Sequence, residues 1–366
     1  MGMMKLFMKS HCVAALFVIA VVMFWTNVSM ATPTTWVKYS GNPVLDSGLN
    51  GSWDSSGVTA PTIIFDGSEY KMWYTSEIIG NYLRKIGYAI STDGISWTKY
   101  SANPVFGNEV NGAWDDGDVA DPSVLYDSQT GKYKMWYSGT VNNHSQWKIG
   151  YATSDDGLTW VRNPAPVLDL GLYGSWDDDY VYDPSVLYDS QTGKYKMWYS
   201  GSDGSTHRIG YATSLDGISW VKSPDHVLDI EIGAWDNHSV YNPTVLFNGT
   251  EYEMWYSGYS FQTVYSDGVR IGYAISSDGI SWVKSSNPVL DKGLNGTWDD
   301  GAVHSPFVLS DGAGYKMWYS GDDGQNTRIG YATSEPVPEP STILLLTTGL
   351  VGMAGCAVMR FRRKKS

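Results

Sequence analysis

Five copies of one segment of about sixty-one residues run through this chain, and that repetition limits its fold more than anything else in it. Trp53, Trp114, Trp176, Trp235 and Trp298 each open a Trp-Asp pair. Pro61, Pro122, Pro184, Pro243 and Pro306 follow, then Met-Trp-Tyr triplets centred on Trp73, Trp136, Trp198, Trp255 and Trp318. Ile-Gly-Tyr-Ala segments begin at Ile86, Ile149, Ile209, Ile271 and Ile329. A fixed period of this length marks units that cannot bury a hydrophobic face alone and must pack on their neighbours.

Each copy reads as four short strands. The first is expected after the proline, as in Ser123-Val124-Leu125-Tyr126, and a turn such as Asp127 to Gly131 supplies hairpin residues. The second, Tyr133 to Ser138, alternates Tyr-Met-Tyr with Lys-Trp-Ser. The third, Ile149 to Ser154, puts Gly150, Ala152 and Ser154 on one face, which predicts close approach of a neighbouring sheet; the fourth begins at Trp160. No window carries a helical period. The predicted fold is all-β, a five-bladed β-propeller of four-stranded blades, which disposes of exposed sheet edges by radial repetition. The fifth copy stops at Ser334, before its fourth strand, and the missing piece stands at the start as Trp36-Val37-Lys38-Tyr39 and Asn42 to Asp46. The N-terminal strand is therefore expected to close the last blade.

The ends differ from the repeats. Residues 1–31 carry Lys5 and Lys9, an apolar run from Cys12 to Trp25 and Ser29-Met30-Ala31, the layout of a signal peptide. At the other end, over 335–366, Pro338-Glu339-Pro340 precedes an apolar stretch at 342–359 and the basic cluster Arg360 to Lys365. That stretch is just long enough for a transmembrane helix with its basic end in the cytoplasm. The three-part tail resembles the PEP-CTERM sorting signal of Gram-negative bacteria. The resemblance implies processing by an exosortase, an inner-membrane precursor touching the membrane only through this helix, and delivery to the cell surface or extracellular matrix. Between the ends, 32–334 is expected to be one propeller domain. Both cysteines, Cys12 and Cys356, lie outside it, so no disulfide or cysteine metal site supports it. All but two of the 38 acidic residues fall in 32–334, against 18 of the 25 basic ones, a net charge of −18 that repels nucleic acid.

Internal copies separate scaffold from function: what recurs in every blade is structural, and what breaks the repeat is a candidate. Fifteen of the 17 tryptophans are repeat positions; Trp25 and Trp147 are not. Segments such as Ser91 to Trp97 and Ser154 to Trp160 resemble the Asp-box turn of sialidase propellers, a structural element. The Trp-Asp pairs and the basic residues Lys85, Lys148, Arg208, Arg270 and Arg328 recur likewise and read as structural ion pairs. The repeat breaks just before the prolines, at Ala60, Asp121, Asp183, Asn242 and Ser305, and one place earlier, at Thr59, Ala120, Tyr182, Tyr241 and His304. The loop after the second strand of the second copy adds His144 and Trp147. In a propeller these positions gather at one mouth of the axis, where aromatic faces and carboxylates suit a sugar.

With Asp-Pro-Ser-Val-Leu-Tyr, Tyr-Lys-Met-Trp-Tyr-Ser and Ile-Gly-Tyr-Ala-Thr-Ser-x-Asp-Gly-x-Ser-Trp, the blades resemble the five-bladed propellers of glycoside hydrolase families 43 and 32. The resemblance implies three acidic residues at the starts of the inner strands of blades one to three: a base or nucleophile, a helper that tunes pKa, and a general acid. The helper falls on Asp121. The general acid falls on Asp183, where those families have Glu, and the first position is Ala60, which cannot act as base. Glu77 and Asp54 are the nearby acids that could stand in, and His304 lies where some family 43 enzymes hold an axial cation through a histidine. A sialidase would need an arginine cluster, and the positions before the prolines hold none. Two readings remain: a secreted glycosidase-like enzyme using Asp121 and Asp183, or a non-catalytic glycan-binding matrix protein on the same scaffold. In both, the partner is a polysaccharide or oligosaccharide, bound through Asn242, His304, Tyr182, Tyr241, Trp147 and His144.

Overall fold

A computed structural model describes residues 35–77, 84–107, 112–141, 145–261, 268–312 and 314–334. His144, the leader at 1–31 and the apolar stretch at 342–359 lie outside these residues. Among those described, no helix is long and apolar enough to cross a membrane.

Every element found is a strand, and the antiparallel pairing sorts twenty of them into five four-stranded blades. Blade 1 is β2 (Gly57–Phe65), β3 (Tyr70–Glu77), β4 (Lys85–Ser91) and β5 (Thr98–Lys99). Blade 2 is β6 (Val119–Asp127), β7 (Lys132–Gly139), β8 (Lys148–Ser154) and β9 (Trp160–Arg162). Blade 3 is β10 (Tyr180–Asp189), β11 (Lys194–Ser202), β12 (His207–Ser214) and β13 (Trp220–Lys222). Blade 4 is β14 (Ser239–Phe247), β15 (Tyr252–Tyr259), β16 (Arg270–Ser276) and β17 (Val283–Lys284). Blade 5 is β18 (Ala302–Ser310), β19 (Tyr315–Asp322) and β20 (Thr327–Ser334), completed by the N-terminal β1 (Trp36–Lys38). The inner strands pack in the cycle β2, β6, β10, β14, β18 and back to β2. This is a closed propeller.

The closing strand reproduces its counterparts residue by residue. Leu45 bridges Ile329 as Phe106, Leu168, Leu228 and Leu290 bridge the matching isoleucines of their own blades. Lys38 reaches the buried Asp299 at 2.6 Å, the place taken by Lys99 on Asp54, Arg162 on Asp115, Lys222 on Asp177 and Lys284 on Asp236. The Trp-Asp aspartates are thus scaffold.

Between blades the Met-Trp-Tyr tryptophan carries the packing. Trp73, Trp136, Trp198 and Trp318 are fully buried, and each indole N–H donates 2.8 Å to the glycine carbonyl of an adjacent blade's Asp-Gly turn. Those glycines hold positive φ, as Gly94 does at 77°, a conformation glycine takes without Cβ strain. Trp255 faces blade 5, and among the described residues its buried N–H has no partner. The expected role of the third-strand glycines needs correction. A Cβ at Gly150 would strike the Tyr137 ring of its own blade, and one at Gly210 the rings of Tyr199 and Trp176, so they clear space for rings within a blade rather than for a neighbouring sheet.

Candidate functional site

The inner strands start earlier than the sequence reading expects, and the difference builds the site. Each begins several residues before its proline, and the register breaks across it, between Thr59 and Thr62 in β2 and at the same place in the other four. At each break the residue before the proline sits in the left-handed region: Ala60 at φ 47°, Asp121 and Asp183 at 50°, Asn242 at 49° and Ser305 at 47°. Such geometry costs about 1–3 kcal/mol for a residue other than glycine and persists only where its surroundings enforce it. Here the enforcement is visible. The hydroxyl that follows Met-Trp-Tyr in one blade accepts the strained N–H of the next: Thr75 from Asp121, Ser138 from Asp183, Ser200 from Asn242, Ser257 from Ser305 and Ser320 from Ala60, all at 2.8–3.0 Å.

All five residues line a largely apolar cavity between the inner strands, and four of them, Asp121, Asp183, Asn242 and Ser305, also line a more polar cavity of about 420 Å³ beyond it; Ala60 lines only the first. The polar cavity is the candidate site. It gathers Asp121, Asp183, Asn242, Tyr182, Tyr241, His304 and Trp147, seven of the eight residues singled out from sequence. Asp54 is not among them; it is buried under Lys99 at 2.5 Å and cannot replace a base at position 60. Of the Glu77 side chain nothing is described.

Asp183 is 5% exposed and lies in hydrogen-bonding contact with Asp121, while Ser200 Oγ donates to its Oδ2 at 2.9 Å. Burial first, and the Asp121 charge second, push its carboxyl well above the usual carboxylate range, which favours its neutral form. Two carboxyls in contact are closer than the 5–5.5 Å or 6.5–9.5 Å at which paired glycosidase carboxyls flank a bond, in the general case. They therefore act as one acidic unit.

Around that unit the chemistry is uneven. Tyr182 Oη lies 2.7 Å from His207 Nδ1, and the His207 ring leans on Tyr241 with centroids 5.9 Å apart. Burial, with a smaller push from His238, lowers the His207 pKa and keeps the ring neutral. Burial and Asp183 raise the phenol of Tyr182 well above its ordinary range. Ser305 Oγ donates its one proton to Asn242 Oδ1 at 3.1 Å, so His304 Nδ1, 2.9 Å away, must be the donor to Ser305. Among the described residues no group of side chains forms a metal-ligand cluster, and the axial cation near His304 gains no second ligand.

Arg84 and His207 were missed from sequence. Arg84 lines the cavity with its guanidinium 5.6 Å from the Trp147 ring centroid, so an arginine is present although none precedes a proline. A signal was available. The place just before the recurring basic residue holds Arg84, Trp147, His207, Val269 and Thr327, different in every copy, and the first four line the cavity.

The fold is a propeller of the glycoside hydrolase type. Residues 23–176 match the glycosyl hydrolases family 32 N-terminal domain, and 336–364 match the PEP-CTERM protein-sorting motif. The chain belongs to the same family as the uncharacterized proteins MT1551 and Rv1502 of Mycobacterium tuberculosis, each 30% identical over 240 residues, 63% of this chain and 77% of theirs. It is also 26% identical over 167 residues to a 1,2-beta-oligomannan phosphorylase of Thermoanaerobacter, covering 44% of this chain and about half (51%) of that protein. Among solved structures, one from a study of the GH130 family of mannoside phosphorylases aligns with a TM-score of 0.68 at 18% identity, over 85% of this chain and 96% of the other. A thermostable family-43 glycoside hydrolase aligns at 0.61 and 22% identity, over 78% and 95%. These likenesses establish the fold.

Proposed function

We propose that the protein cleaves glycosidic bonds of oligosaccharide or polysaccharide chains, with Asp183 as the general acid and Asp121 as the group that keeps its proton available. The observation that carries this reading is the buried Asp183 carboxyl in contact with Asp121, in a cavity walled by Trp147, Tyr182 and Tyr241. A carboxylic acid kept neutral near pH 7 can protonate a leaving oxygen. The methyl group of Ala60 can neither attack the sugar nor activate water, so the nucleophile comes from solution. The phosphorylase relatives favour inorganic phosphate, with a β-1,2-mannoside as first substrate to try. Arg84 is the cation in place to meet an anion.

Incubating the full-length protein with β-1,2-linked mannobiose and longer oligomers, with and without phosphate, tests this. Mannose 1-phosphate that appears only with phosphate and vanishes in Asp183→Asn supports it. Retention on a glycan array with no turnover under either condition would replace it with the second reading, a non-catalytic glycan-binding protein, which the alanine at position 60 favours. We further propose the division into a leader at 1–31, a propeller at 32–334 and a sorting tail at 335–366, with export and exosortase processing to the cell surface. The tail match supports this.

A further inference from the structure

The five hydroxyls that follow Met-Trp-Tyr share one backbone task, but their own protons go to different places. Ser257 Oγ donates to Asn242 Oδ1 at 3.3 Å, and Ser320 Oγ lies 2.9 Å from Thr59 Oγ1. Ser200 Oγ donates to a carboxyl, Asp183 Oδ2, while it accepts the Asn242 N–H. A serine has one proton to give. With that proton directed at Oδ2, Oδ2 is the acceptor oxygen of Asp183, and Oδ1 is left to carry the acidic hydrogen.

We propose that Ser200 is a positioning residue that fixes the proton of Asp183 on Oδ1 while it also holds the N–H of Asn242. The inference rests on the reading of Asp183 as the acid. It gives one of the five bulge-holding hydroxyls a task in the acid chemistry besides its backbone one. It also assigns a direction: donation to the carboxylate form favours ionisation, so losing it raises the pH at which Asp183 ionises. The groups facing Asp183 are Asp121 from β6, Tyr241 from β14 and its own neighbour Tyr182, with Arg84, His207 and His304 on the same cavity. None of them changes in the variants below.

Infrared difference spectra of the full-length protein across pH, wild type minus Asp183→Asn, isolate the C=O stretch of the protonated Asp183 carboxyl. In Ser200→Ala the midpoint of that band should rise by about one pH unit, the size of a hydrogen bond to a charged group. Ser200→Thr should restore it, since Thr75 occupies the same place in blade 1 and accepts Asp121 N–H at 2.8 Å. Ser200→Cys, a weaker donor of similar size, should shift the band part way and serves if the alanine variant does not fold. Ser320→Ala is the control: it also removes the acceptor of a strained N–H, that of Ala60, and should lower thermal stability with no shift in the band. If Ser200→Ala and Ser320→Ala both destabilise and neither moves the band, Ser200 is scaffold only and the inference is overturned. A wild-type protein with no such band at neutral pH would remove the neutral acid, and the proposed function with it.

Discussion

At the scale of single residues, the site is a matter of who holds a proton and who has lost the means to. Asp183 is buried beside Asp121, so its neutral form is favoured. Asp183→Asn keeps the shape and removes the acid; turnover on the mannoside should fall about 100-fold or more, measured as sugar phosphate released, while the fold persists. Ala60 stands where related propellers are expected to hold a carboxylate, and it shares the left-handed backbone of Asp121 and Asp183, whose side chains line the cavity. Ala60→Asp should therefore add hydrolysis in phosphate-free buffer, because it supplies the base that wild type lacks. A product balance showing no reducing sugar without phosphate would count against that assignment. Asp tolerates φ near 50° better than a β-branched residue does, so the variant should fold.

At the scale of strands, closure of the ring depends on a piece from the far end of the chain. β1 adds little length, yet Lys38 neutralises Asp299, which is 2% exposed. Removing one partner of a buried pair leaves an uncompensated charge, so Lys38→Ala should cost about 3–5 kcal/mol, read from denaturant unfolding. Lys99→Ala should cost a similar amount, since Asp54 is equally buried and equally paired. A loss below 1 kcal/mol for Lys38 alone would mean that the last blade does not depend on its borrowed strand. The strand plan, the borrowed strand and the structural tryptophans were all legible, because repetition displays the same physical demand five times. The bulges were not. A residue ahead of proline is normally extended, and only the cross-blade hydroxyl that captures its N–H reverses the preference. That partner lies 42 to 48 residues away in four blades and 260 in the fifth. Arg84 and His207 escaped because each stands beside a basic residue that recurs, and the recurrence drew the eye from its variable neighbour.

At the scale of the whole molecule, opposing titrations set the pH of greatest stability. The turn aspartates, among them Asp127 and Asp278 at about 2, are held low by hydrogen bonds: Lys134 foremost for Asp127, backbone N–H groups for Asp278. A depressed carboxyl stabilises above its unfolded pKa near 3.8, and that contribution is lost as pH falls toward 2. Asp183 works the other way. Its raised pKa means the folded state binds a proton the unfolded chain releases, so stability falls as pH climbs above the ordinary carboxylate range. The thermal midpoint should peak at mildly acidic pH. Asp183→Asn should flatten the decline above the peak and leave the acid side unchanged, as calorimetry between pH 2 and about pH 8 would show.

The strained turn ahead of each proline has a consequence for how such a molecule can change. Its cost is met by a hydroxyl on the adjoining sheet and a main-chain N–H, neither of which depends on the side chain displayed. Methyl, carboxyl, carboxamide and hydroxymethyl groups are all carried there now. Each position is thus a mount whose fitting can be exchanged without rebuilding the ring, so affinity and chemistry can drift from one descendant to the next while the architecture stays put.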